Sequence, residues 1–75
     1  MDENMIVIDP QIMTGKPVVK GTRITVEHIL EELSQGRTID DLVAAHPRLS
    51  KQMVLAALDY AAKVLKSDVI HISIA

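Results

Sequence analysis

The sequence predicts a small α+β domain, mainly helical: an N-terminal β-hairpin, a three-helix unit with a helix-turn-helix core, and a short C-terminal strand. Three observations predict it. Short apolar runs without helical spacing stand near both ends, at residues 5–8 and 69–75. Between them lie three segments whose apolar residues recur every three or four positions, each opened by Thr or Ser. A chain of 75 residues has room for one domain. Its parts divide as residues 1–24 for the hairpin arm, 25–66 for the helices and 67–75 for the last strand.

Residues 5–8 (MIVI) read as a strand that Asp9-Pro10 ends. Residues 18–20 (VVK) read as a second, with Gly21 as a bend, so that the two close a hairpin across residues 9–17. Thr25 is placed to cap the first helix, where Val26, Ile29, Leu30 and Leu33 make one apolar stripe. Gly36 stands where a left-handed residue closes that helix. Thr38 caps a second helix, and Asp41, three residues on, makes a short-armed capping box. Ile39, Leu42 and Val43 form the inner face of this helix and Pro47 ends it. Ser50 caps a third helix running to about Lys66. In the tail, Ile70, Ile72 and Ile74 alternate with His71 and Ser73, the period of a strand.

The third helix carries two apolar seams, one through Val54, Leu58, Ala61 and Leu65, the other through Met53, Ala57, Tyr60 and Val64. Either the helix is sunk among the other elements and buries both, or one seam is free for a second copy of the chain. A domain this small buries only about 60% of the surface its unfolded chain exposes, and such chains usually add a disulfide, a metal or a partner. There is no cysteine, and His28, His46 and His71 do not fall at zinc-ligand spacing. Association remains, and a homodimer through Met53, Ala57, Tyr60 and Val64 is the expectation.

The segment GKPVVKGTRI, residues 15–24, concentrates glycine, proline and cations. It is not a phosphate-binding Walker loop, since ending that motif at Gly15-Lys16 puts Pro10 at its first glycine and Pro17 at its hydroxyl. Turn geometry accounts for Gly15, Pro17 and Gly21. It does not account for Lys16, Lys20 and Arg23, which lie in an acid-free stretch just before Glu27, Glu31 and Glu32. These cations form either a solvated face paired with that flank or an arm that seeks an anion, on DNA or on an acidic partner. No nucleophile stands by a base, and Asp40-Asp41 suit a helix dipole better than a metal. No enzymatic activity, cofactor, metal or small-molecule substrate is expected.

Residues 38–58 read as a helix-turn-helix with Leu49 packing the turn. In such a pair the start of the second helix meets base edges, which here makes Arg48, Ser50, Lys51 and Gln52 the DNA-binding candidates. Gln52 suits adenine, Lys51 guanine and Arg48 a phosphate. The net charge of −2 argues against tight nonspecific binding. The N-terminal MDENMIVIDP has acids and an apolar run of only four residues, unlike a signal peptide or membrane span, so a cytoplasmic setting is expected.

The runs IDPQIMTGKPVVKGTRITVEHILEEL and TIDDLVAAHPRLSKQMVLAALDYAA together resemble the domain-of-unknown-function family 433, over roughly residues 6–62. The segment DP…GKPVVKGTRI is the most specific part of the likeness. The resemblance implies a β-hairpin followed by a homeodomain-like trihelical unit, without catalytic residues. It also implies an antitoxin of the VapB-like kind that pairs with a PIN-like ribonuclease toxin, and the helix-turn-helix adds its own operator DNA as a further candidate partner. Lys20 and Arg23, or the tail through Ile70, Ile72 and Ile74, are then the toxin-binding candidates. The alternatives are a stand-alone helix-turn-helix regulator and a dimerisation module that binds no DNA.

Overall fold

The computed structural model describes residues 5–67. In chain order it contains β1 (Ile6–Val7), a 3-10 turn (Met13–Gly15), β2 (Val18–Val19), α1 (Val26–Ser34), α2 (Ile39–Ala45) and α3 (Lys51–Ser67). The architecture is α+β and mainly helical, as the apolar spacing predicts. The expected C-terminal strand, with Ile70, Ile72 and Ile74, lies outside the described residues.

β1 and β2 pair antiparallel, Ile6 opposite Val19 and Val7 opposite Val18. The strands are shorter than the apolar runs that announce them, because Ile8 is already exposed and Lys20 enters a turn. β2 is bound on its other side as well. Val18 bridges Thr25, and the Val19 amide donates to the Ile24 carbonyl at 2.9 Å. The chain thus reverses twice, and Val18 and Val19 end up with no exposed surface. Val19 packs in one cluster with Val26, Ile29, Leu42, Leu49, Val54 and Ala57, so the hairpin shares the helical core.

Local chemistry sets each helix boundary. The Thr25 hydroxyl accepts the His28 amide at 2.9 Å and opens α1. At the other end Gly36 has φ +98°, with Gly36 N–H donating to Leu33 and Arg37 N–H to Glu32. That is the Schellman closure, and it needs a residue that tolerates a left-handed backbone. Before α2 the capping box is complete: Asp41 N–H donates to the Thr38 hydroxyl at 3.0 Å, and Thr38 N–H to the Asp41 carboxylate at 2.9 Å. Ser50 opens α3 by accepting the Met53 amide at 3.2 Å.

Two apolar assignments change in the structure. Leu30 belongs to the α1 stripe by spacing but lies at its edge and is 38% exposed. On α3 the core-facing side falls between the two seams. Val54 and Ala57 are fully buried, and Met53, Tyr60 and Ala61 pack against the core. Three of the four expected dimer residues, Met53, Ala57 and Tyr60, are therefore used inside the chain, and only Val64 is exposed. Beside Val64, the apolar surface left open on α3 includes Leu55 and Leu65, 45% and 73% exposed, with Leu58 half-buried between them.

The capping box makes stability depend on pH. The Thr38 amide, and then its hydroxyl, hold the Asp41 carboxyl below its usual pKa. The carboxylate therefore stabilises the fold above the ordinary carboxylate range, and that contribution is lost as the pH falls through the lowered value. Thr38→Ala should cost about 1 kcal/mol in urea denaturation near neutrality. Asp41→Ala should show a smaller loss of stability than the parent when both are titrated from neutral into acid.

Candidate functional site

Two surfaces that stand apart in the sequence meet in the fold. After β2 the chain turns through Gly21, whose φ is +83°, and returns to pair Ile24 with Val19. The Thr22 amide and hydroxyl both donate to the Val19 carbonyl, at 3.0 and 2.8 Å, and the Thr22 hydroxyl accepts the Ile24 amide at 2.9 Å. These bonds make the tip, residues 20–23, a closed turn that presents Lys20 and Arg23 to solvent. From the other side the turn between α2 and α3 brings Arg48. Its Nη1 donates to the Gly21 carbonyl at 3.2 Å and joins the hairpin tip to the helix-turn-helix.

Between them lies an open pocket of about 500 Å³. It is lined by the apolar Val7, Ile12, Val18 and Ile24 and by Gly21, Thr22, Arg23 and Arg48. The sequence assigns Arg23 to partner binding and Arg48 to DNA, whereas the structure brings both to one cavity. Nothing in their spacing announces this, since it depends on the Arg48–Gly21 bond. The pocket role of Ile12 also escapes sequence reading, as an isolated apolar residue in a loop carries no periodic signal.

The charges sort into two groups. Lys16 lies 3.2 Å from Glu27, Arg37 3.4 Å from Glu32 and Lys63 3.0 Å from Asp59. For Lys16 this is the solvated pairing with the acidic flank, an exposed contact worth little stability. Lys20, Arg23, Arg48, Lys51 and Lys66 have no acid within 4.0 Å among the described residues. Of the DNA-binding candidates, Arg48, Lys51 and Gln52 are exposed around the turn and the first turn of α3. Ser50 is exposed too, but its oxygen is occupied as the α3 cap. Leu49, 4% exposed, packs the turn as expected and fixes where α3 starts.

The family described as "Protein of unknown function (DUF433)" matches residues 6–61. The chain belongs to that family. The matched span includes the hairpin, all of α1 and α2, and α3 as far as Ala61. A crystal structure of a DUF433 member protein from Anabaena variabilis, at 2.00 Å, is similar with a TM-score of 0.80 and 28% identity. The likeness covers 85% of this chain and 63% of that one. The uncharacterized protein y4eO of Sinorhizobium fredii is 30% identical over 57 residues, which are 76% of this chain and 26% of that protein. This DUF433 chain thus spans less than two thirds of the crystallised relative and about a quarter of the bacterial one. Among the described residues no helix is long and apolar enough to cross a membrane, and no group of His, Asp or Glu is placed to hold a metal.

The position of Arg23 depends on Gly21. A Cβ at Gly21 would meet nothing within 4 Å, so the cost of substituting it is backbone strain and not collision. Gly21→Ala should lower stability by about 1 kcal/mol in thermal or urea unfolding, and Gly21→Asn by less, because Asn tolerates the left-handed region.

Proposed function

We propose that this DUF433 chain is an antitoxin-like regulator that binds a PIN-like ribonuclease toxin and its own operator DNA. The observation that carries the reading is a set of cations with no acid within 4.0 Å among the described residues, Arg23 on the hairpin tip with Arg48 beside it, and Lys51 at the start of α3. DNA contact runs through the exposed Arg48, Lys51 and Gln52. The first helical turn of the second helix is where such pairs meet base edges. Toxin contact runs through Lys20 and Arg23. A nuclease site that gathers carboxylates around a metal is a natural target for a guanidinium, which forks onto carboxylates and stays charged.

A second reading is a dimerisation module, with or without DNA binding. The exposed Leu55 and Leu65 on α3 favour it. In the proposed regulator this same stripe serves a homodimer, whose two-fold symmetry would match a palindromic operator.

A gel shift on the DNA upstream of the gene tests the DNA-binding half. The parent should bind with a marked loss of affinity as salt rises, because phosphate contacts release counterions. Gln52→Ala should relax sequence preference by about 1–3 kcal/mol, and Arg48→Ala should weaken all sequences alike. Co-expression with the neighbouring reading frame tests the other half, and co-purification that Arg23→Ala abolishes is the expected result. A triple alanine variant at Arg48, Lys51 and Gln52 that binds like the parent would overturn the DNA assignment.

A further inference from the structure

The pocket between hairpin and helix-turn-helix has a composition that a nucleic acid does not explain. Its lining joins four aliphatic residues, Val7, Ile12, Val18 and Ile24, to two arginines, Arg23 and Arg48. The remaining polar side chain of the lining, Thr22, spends its hydroxyl on Val19 and Ile24, so the arginines carry the site's side-chain hydrogen-bonding capacity. Arg48 gives one donor to Gly21, and its guanidinium makes no other hydrogen bond among the described residues. The bond also holds the side chain in place, which lowers the entropic cost of binding. A phosphodiester would satisfy the arginines and leave the aliphatic residues wet. A ligand that joins a carboxylate to an aliphatic group would satisfy both.

We propose that the pocket docks a short acidic-aliphatic segment of a partner protein, with its carboxylate on Arg23 and Arg48 and its aliphatic side chain on Ile12 and its neighbours. This rests on the partner-binding half of the reading above and names the chemistry that half recognises. A guanidinium pair selects a planar carboxylate by parallel hydrogen bonds, and the aliphatic residues select an adjacent Leu, Ile or Val. The cavity volume of about 500 Å³ lies within the range of pockets that take such ligands.

The test is an NMR titration of the full 15N-labelled chain with N-acetyl-Leu-Asp-amide, with N-acetyl-Leu-Asn-amide, acetate and inorganic phosphate as comparison probes. The Leu-Asp probe should shift the amides of Gly21, Thr22, Arg23 and Arg48 with a dissociation constant on the order of a millimolar. The Leu-Asn probe should bind at least about tenfold more weakly, the loss of a charge-assisted hydrogen bond. Arg23→Met should weaken the Leu-Asp probe by a similar factor while leaving the rest of the amide spectrum in place. Ile12→Ser should weaken Leu-Asp but not acetate. Equal binding of Leu-Asp and Leu-Asn, or no shift at these amides, would overturn the proposal. Phosphate binding as tightly as Leu-Asp at the same amides would overturn it in favour of a nucleic-acid phosphate site. Co-purification with a partner that persists when the probe fails would separate this failure from that of the antitoxin reading.

Discussion

The fold depends on Val18 and Val19 being held from both sides. One edge of this two-residue strand pairs with Ile6 and Val7, and the other meets Ile24 and Thr25. The Pro17 carbonyl accepts the Val26 amide at 3.0 Å, so the start of α1 is also tied to the strand. Neither valine retains exposed surface. Without this strand the Gly21 carbonyl would have no fixed position, and Arg48 would have nothing to bind. The hairpin is therefore part of the helical body, and the meeting of Arg23 with Arg48 follows from that.

The rest of the stability comes from a thin core supported at its edges. Ile29, Leu42 and Val54 join the two valines as the largest fully buried side chains. Each contributes about 1.5–3 kcal/mol by leaving water, set against the entropy of ordering the chain. Backbone groups at the helix ends are met by Thr25, Thr38, Ser50 and the turn at Gly36, and no buried side-chain polar atom lacks a partner among the described residues. What this economy leaves over is a set of cations with no acid within 4.0 Å among the described residues and a largely aliphatic hollow beside β2.

Much of this was legible in the sequence, and the limit has a physical cause. Caps and closures are contacts over three or four residues, so Thr25, Thr38–Asp41, Gly36 and Ser50 could be read from spacing alone. Apolar periodicity shows that faces exist but not which of two adjacent faces turns inward. On α3 the core took residues of both seams, Val54 and Ala61 from one and Met53, Ala57 and Tyr60 from the other, leaving Leu55 and Leu65 outside. Leu30 sits at the margin of its stripe for the same reason. The pocket was not legible at all, because Arg23, Arg48 and Ile12 come together only through the doubled strand and one side-chain-to-carbonyl bond.

The pocket keeps its lining together only if the hairpin and the helices keep their relative positions. That requires the hairpin to unfold with the helices and not before them. Native-state amide hydrogen exchange measures this directly. The Val19 and Val26 amides should exchange only through global unfolding, with the same free energy as Val54 and Ala57 in α3. Exchange of Val19 and Val26 by local opening, while Val54 and Ala57 remain protected, would contradict this and make the hairpin a separable arm.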